Sequence, residues 1–438
     1  MCTDVTGDPV TAPGAARFRG WWVVGGLFIV LTVSSGLGFY GASVYKDALT
    51  EEHGYSESAV SSAVALQFVA GGLLGMVVAR LLGRYDVRRI MVVGAILGGS
   101  ALFGLGRADA LWQIYLLFAL FGAGFAASGL VPATTVVTRW FTRRRSVALS
   151  ITSTGLSMGG IALTPLAARL IDSRGLDDAM PVLGIVFVVG IIPVAWFVVR
   201  SEPRALGQYP DGDPAPIDGR PVAVVGIPYR EAIHSPFFKL CTAAYVLVML
   251  AQVGGIAHLF TVAKDRVDAD TAALCISVLA GASVVARLIG GWVAERVSLR
   301  PLVVFFAALQ VAGLAAVAVA DGPAGMVLTA ALFGLSVGNL LMLQPLLLAD
   351  AFGVVDYART YAFAQLFTTI GVGGGPALLG VLFDLSGGWT LSYLVAAVAS
   401  AGAGLMLYAT TRPRYATNVR PIAATSTLPP KPATASST

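Results

Sequence analysis

The strongest constraint on this chain is a series of twelve apolar runs, separated by charged or Pro/Gly-rich clusters, most of them long enough to cross a bilayer. Roughly 20 residues of helix span the hydrocarbon core. The runs lie near 20–45, 58–82, 90–107, 110–138, 146–171, 180–199, 237–263, 271–294, 301–320, 324–349, 358–383 and 389–411. A backbone facing lipid must satisfy its own hydrogen bonds, and these runs exceed the length of barrel strands, so each is read as a helix. Only 12% of the 438 residues are charged, against about 25% in a soluble domain, and the mean hydropathy is +0.79. The expected class is therefore an all-α membrane protein with twelve transmembrane helices. A secreted disulfide scaffold and a disordered chain are excluded.

Arg17 and Arg19 ahead of the first run imitate a signal peptide. The run is longer than the roughly 7 to 15 residues of an h-region, and no small-residue cleavage site is evident, so it reads as a retained helix. With the N-terminus in the cytoplasm, 22 of the 29 Lys and Arg fall on the inner side, six at outer ends and one, Arg287, inside a span. This is the positive-inside bias, and it places both termini in the cytoplasm. The formal net charge of +5 then reflects topology in a cell membrane, with no nucleic-acid partner implied. The expected organisation is a cytoplasmic segment 1–19, a six-helix half 20–199, a Pro-rich cytoplasmic linker 200–236, a second half 237–411 and a disordered cytoplasmic tail 412–438.

An internal repeat recurs at an offset of 212. Ala119-Leu120-Phe121-Gly122 matches Ala331-Leu332-Phe333-Gly334, Asp172 matches Asp384, and Arg84 and Arg88 match Arg296 and Arg300. Pro165 and Pro376 are one residue off that register. Several agreements at one offset in matching topological places predict two pseudo-symmetric six-helix halves, an arrangement that rocks around a central site in transporters.

These residues resemble the major facilitator superfamily. Its signature between helices 2 and 3 is approximated by Gly83-Arg84-Tyr85-Asp86-Val87-Arg88-Arg89 and, more fully, by Gly291 to Arg300, including Glu295-Arg296. The resemblance implies that Arg84, Arg88, Glu295, Arg296 and Arg300 form a conformational latch, an ion pair or cap at the inner side that breaks as the halves rock. Gly83 stands where the family has an acid. Within the superfamily the chain looks most like the monocarboxylate and oxalate/formate porter group, through Arg19-Gly20-Trp21-Trp22, Ala257-His258-Leu259 and Val285-Ala286-Arg287-Leu288 to Trp292.

Arg287 lies eight residues before Glu295, about 12 Å of helix rise into the membrane. A mid-span guanidinium costs at least about 2.5 to 3.5 kcal/mol and is normally kept where it faces a wet cavity and meets an anion. Its fork suits a carboxylate. A pair with a protein carboxylate is the alternative, but no Asp or Glu lies deep within any run. In the family this arginine binds the substrate carboxylate. Family members carry an Asp one turn earlier, tied to proton coupling, where this chain has Ser283; neither helix 1 nor helix 11 has the interior Lys that some members carry.

Further candidate ligands are His258, as a proton relay or a hydroxyl partner, and Asn339, the only intramembrane asparagine. Tyr40, Ser336, Ser128, Thr152 and Gln365 are candidates for the lining, with packing or interhelical bonding the alternative for each. Gly155, Gly159, Gly160 and Gly371 to Gly375 are expected to permit close approach at the interface of the two halves. Pro165 is displaced from these glycines, unlike the G-x-x-x-G-P motif of antiporter members. Gly36-Leu37-Gly38-Phe39-Tyr40-Gly41 matches a dinucleotide fingerprint but has no strand before it. The three Cys and three His show no metal spacing, so no metal, cofactor or enzymatic activity is expected. The reading is a secondary transporter of small monocarboxylates, with proton symport open and a monomer expected. An efflux carrier for drugs or other organic anions and a nontransporting membrane sensor are the alternatives.

Overall fold

The structure, a computed structural model, describes residues 18–214 and 226–410. Most of the expected N-terminal segment, residues 215–225 of the linker, and the tail from 411, with Arg412 and Arg414, lie outside them. Among the described residues twelve helices are long and apolar enough to cross a membrane. The first half contains α1 (Gly20–Glu52), α2 (Glu57–Leu81), α3 (Val87–Leu105), α4 (Leu111–Trp140), α5 (Arg145–Arg174) and α6 (Leu176–Val198). The second contains α7 (Pro236–Arg266), α8 (Ala269–Val293), α9 (Leu299–Val319), α10 (Gly322–Phe352), α11 (Tyr357–Ser386) and α12 (Trp389–Ala409).

The expected spans and the observed helices coincide, with differences at the ends that have local causes. Helix α1 runs past residue 45, with Thr50 Oγ1 donating to Lys46 O at 2.9 Å, and it stops where Gly54 adopts φ 63°. Helix α6 starts four residues early: Gly175, at φ 76°, ends α5, and Glu52 Oε1 accepts from the Leu176 amide at 3.0 Å, supplying an N-terminal partner. Side-chain caps start other spans, with Ser235 accepting from the Phe238 amide and Asp268 from that of Thr271.

The 212-residue repeat is visible in the backbone. Helices α2 and α8 are both 25 residues long, α5 and α11 both 30, and each pair is displaced by 212. Gly175 and Gly387, also 212 apart, both take positive φ where α5 and α11 end.

The long glycine-bearing helices pack inside their own halves. A Cβ on Gly159 would fall 2.4 Å from Thr32 O of α1, and one on Gly371 would fall 2.2 Å from Val246 O of α7. This corrects the expectation that these glycines serve the interface between halves, because their backbones approach α1 and α7 respectively. The halves are joined instead through α2 with α11 and α5 with α8. There the close approaches involve Gly72 against Leu366, and Gly291 against Ser150 and Ser146.

Burial along α5 and α11 shows where the halves meet. From Ser146 to Leu156 all of α5 is buried except Val147 and Ile151, whereas Ile161, Ala162, Pro165 and Leu166 are exposed. Its repeat partner follows suit, buried from Tyr357 to Ala364 apart from Arg359 and Phe363, then exposed at Gly373, Ala377 and Leu378. The halves close at the end that carries the basic loops and part toward the other.

Both described ends of the linker are docked. Asp211, at φ 60°, accepts from the Thr142, Arg143 and Arg144 amides at 2.9, 2.8 and 3.3 Å, and so caps the turn into α5. On the other half, Asp356 accepts from the Tyr229 amide at 2.9 Å, and Ile227 N–H donates to Phe352 O at 2.9 Å. The linker thus grips the α4–α5 turn at one end and the repeat-related α10–α11 turn at the other.

Gly371→Val should force α7 and α11 apart, costing about 1 to 3 kcal/mol as an overpacked contact does. A thermal-shift assay on purified protein should show a lowered Tm, while Gly373→Val, whose added Cβ meets nothing within 4 Å, should change it little.

Candidate functional site

The buried face of α8 reads Ser283, Ala286, Arg287, Gly290 and Gly291, a helical stripe. Arg287 is only 2% exposed. Its guanidinium is therefore enclosed in this conformation, where a wet surrounding had been expected. Nε donates to Gly338 O of α10 at 3.1 Å, and Nη1 makes a short hydrogen bond to Ser153 O of α5. In return Ser150 Oγ donates to the Arg287 carbonyl at 2.6 Å. The alternative partner, a protein carboxylate, is not used: among the described residues no Asp or Glu pairs with Arg287. Backbone carbonyls in both halves hold the cation, so the charge itself crosses the interface.

Gly338 makes room for it. A Cβ there would lie 2.9 Å from Arg287 Nε and 2.4 Å from Ser283 O. Two polar oxygens beside the cation have no partner, Ser283 Oγ and Asn339 Oδ1. Asn339 Nδ2 donates to Leu335 O at 3.2 Å, and its carboxamide lies over Gly290, one turn from Arg287. Tyr40 of α1 packs on the same α5 helix that supplies Ser153. Residues 36–40 form a π-helical turn, with Gly36 against Gly159 O, and the Tyr40 ring packs over Gly160 of α5. Close packing of Gly36 against Gly159 O, Gly38 against Phe125 and Gly41 against Tyr45 accounts for the glycines of the apparent dinucleotide fingerprint.

Two other expected lining residues are engaged elsewhere, and two have a buried oxygen without a partner. Ser336 Oγ back-bonds to Phe333 O at 2.7 Å, and Ser128 is paired with Ser34 at 3.2 Å. Thr152 Oγ1 and Gln365 Oε1 are buried without partners. His258 is apart from this cluster: Nε2 donates to Pro376 O at 2.9 Å and the ring lies 4.7 Å from that of Trp389. It ties α7 to α11 and α12. Ser150, Ser153 and Gly338 were absent from the candidates, since two of them contribute backbone carbonyls or space, which leave no chemical signature in sequence.

The five expected latch residues make no hydrogen bond or ion pair across the halves among the described residues. Arg88 binds Asp86 through Nε at 3.0 Å and Nη2 at 2.6 Å, while Ser201 Oγ donates to the same carboxylate at 2.9 Å. Asp86 thus supplies the acid that is missing at Gly83, and it also caps α3. Burial pushes the Asp86 carboxyl up, but the hydrogen bonds from Arg88 and Ser201 pull it further down, below its ordinary value. Arg84 is exposed. Arg296 lies over Trp292 at 3.7 Å, and Arg300 makes a short hydrogen bond to Tyr408 O, joining α9 to α12. The expected bond from Glu295 to a neighbouring arginine is not formed. Glu295 lines a recess of about 260 Å³ between the halves, with Arg145, Ser146 and Asp350.

Two pseudo-symmetric six-helix halves, closed at one end around an interior cation, define a multi-pass membrane transporter. The chain belongs to the Major Facilitator Superfamily, whose model matches residues 28–340 and again 253–436. It is a transporter and not an enzyme. Similar proteins include monocarboxylate transporter 11 of Mus musculus, 29% identical over 388 residues, covering 86% of this chain and 84% of that one. Monocarboxylate transporter 2 of Mesocricetus auratus is 26% identical over 407 residues, covering 89% and 83%. The MFS transporter asaE of Aspergillus flavus is 26% identical over 391, covering 87% and 84%. Among solved structures the transporter FucP, in the outward conformation, shares the fold with a TM-score of 0.69 at 15% identity, covering 89% of this chain and 98% of its own.

Because the folded Asp86 pKa is depressed, its stabilising contribution is present above the unfolded carboxylate value, near 3.9, and is lost as pH falls through the lower folded one. Asp86→Asn should therefore lower Tm at pH 7 and narrow the gap to the parent as pH is taken below about 4. A gap constant with pH would remove this assignment. Gly338→Ala should press on Ser283 O as well as displace the guanidinium, lowering Tm and reducing transport at least about tenfold; equal rates for parent and variant would count against the packing account.

Proposed function

We propose that the protein carries small monocarboxylates of the lactate or pyruvate type by alternating access across a cell membrane, with both termini cytoplasmic and Arg287 as the carboxylate anchor. The observation behind this reading is a buried cation that meets carbonyl oxygens in both halves and, among the described residues, no protein acid. A carboxylate is a stronger acceptor for a guanidinium than a neutral carbonyl. A substrate entering from the open end therefore takes Nη1 from Ser153 O, and the α5–α8 contact loses its charged member. Binding favours the state in which the halves part at the basic end, as a ligand must for its affinity to shift a conformational equilibrium.

The unpaired oxygens beside Arg287 suit a 2-substituted acid. Ser283 O–H can donate to a 2-keto oxygen, and Asn339 Oδ1 can accept from a 2-hydroxyl. Tyr40 adds a phenol on the α1 side. One interior cation matches one carboxylate, which disfavours a dicarboxylate. Ser283 in place of an acid removes one proton site, and the His258 Nε2 bond to Pro376 O favours a structural part for that residue. A monomer is sufficient for this scheme.

Uptake of labelled monocarboxylates, dicarboxylates and larger organic anions into proteoliposomes, with and without a pH gradient, tests the reading. Monocarboxylate uptake should exceed dicarboxylate uptake, and Arg287→Ala should reduce it at least about tenfold without loss of folded protein. Parent-like rates in Arg287→Ala would sink the anchor. Transport confined to larger anions would instead identify an efflux-type carrier.

A further inference from the structure

A second cationic feature lies on the outer surface of the first half. Where α1 and α6 reach the basic end they border a recess of about 390 Å³ lined by Arg19, Trp22, Val23, Phe197, Arg200 and Leu206. Its shape follows from local sequence. After Pro193 the chain takes a π-helical turn over Val194–Val198, and Gly26 lets Val194 and Val198 lie against α1, where a Cβ would fall 2.9 Å from Val198 Cγ1. The turn leaves Phe197 73% exposed at the last residues of α6, facing the level at which Trp22, 65% exposed, opens α1. Large aromatic side chains at span ends sit at the headgroup layer.

The polar side of the recess has an excess of positive charge. Arg200 Nη1 is fixed by the Trp196 and Val199 carbonyls, both at 2.9 Å, which holds the guanidinium at the mouth. Burial lowers the Arg200 pKa, Arg88 lowers it further, Asp86 opposes this, and Arg19 adds a smaller repulsion. Three guanidiniums thus share one region. Among the described residues the neighbouring acids are committed: Asp86 to Arg88 and Ser201, and Glu202 to Arg139 at 3.7 Å. The recess combines a pair of forked cations, neither in an ion pair with a described residue and both suited to a phosphodiester, with exposed aromatic walls suited to acyl chains.

We propose that this α1–α6 recess binds the headgroup of an anionic glycerophospholipid, the phosphodiester between Arg19 and Arg200 and the acyl chains along Trp22 and Phe197. A zwitterionic lipid would bring its own cation toward Arg19, Arg88 and Arg200 and is disfavoured. The site is remote from Arg287 and independent of the substrate carried.

Native mass spectrometry of the full chain, delipidated and then offered phosphatidylglycerol and phosphatidylcholine of equal chain length, tests this. The parent should retain one phosphatidylglycerol with at least about tenfold preference. Arg19→Gln/Arg200→Gln should lose that preference, and Arg230→Gln/Lys239→Gln, removing two exposed cations elsewhere at the basic end, should keep it. Should the first double variant fail to fold by size exclusion, Arg19→Gln alone, at an exposed position, should reduce the preference severalfold. Equal retention of both lipids by the parent, or a preference unchanged in the Arg19 variants, would overturn the proposal. So would displacement of the lipid by millimolar glycerol phosphate, which would mark a site for free phosphate.

Discussion

One guanidinium spans the two halves of this transporter. Arg287 donates to Gly338 O in its own half and to Ser153 O in the other, and Ser150 answers with a bond to the Arg287 carbonyl. Placing a cation there costs several kcal/mol unless acceptors surround it. The neighbourhood is arranged to supply them: Gly338 clears the space and Gly291 lets α5 close against α8. Carbonyls satisfy the charge without neutralising it, so the site retains a net attraction for an anion.

The rest of the architecture supports one moving contact between two rigid bodies. Gly159 and Gly371 bind α5 to α1 and α11 to α7, so each long helix belongs firmly to its own half. The same two helices also meet the opposite half, α5 through α8 and α11 through α2. A rocking motion of the halves would open the α5–α8 and α2–α11 contacts while the close glycine approaches within each half persist. The docked linker ends fit this picture, because each grips the turn that leads into one of these two helices.

Much of this was legible in the sequence. The twelve spans, the 212-residue repeat and the lone interior arginine follow from hydropathy, spacing and charge, quantities that survive without coordinates. What could not be read was which backbone faces which. Glycines at 155–160 and 371–375 announce close packing, but their partners turned out to be α1 and α7 and not the opposing half. The acceptors of Arg287 are main-chain carbonyls, which every residue carries. Asp86 took the place of the acid absent at Gly83 because a capping position three residues along, on the other side of the turn, reaches the same arginine. The latch arginines could be located from the motif; their stacking on Trp292 and Tyr408 depended on helix ends that periodicity fixes poorly.

The central claim is that substrate and Ser153 O compete for one guanidinium, so that binding loosens the α5–α8 seal. Spin labels at Arg144 and Ser298, exposed at the basic ends of the two halves, in a cysteine-free background, report this directly by pulsed electron resonance. Saturating lactate or pyruvate should shift the distance distribution toward longer separations, and Arg287→Gln should abolish that shift. A distribution unmoved by any monocarboxylate that the protein transports, or one that moves equally in Arg287→Gln, would contradict the account.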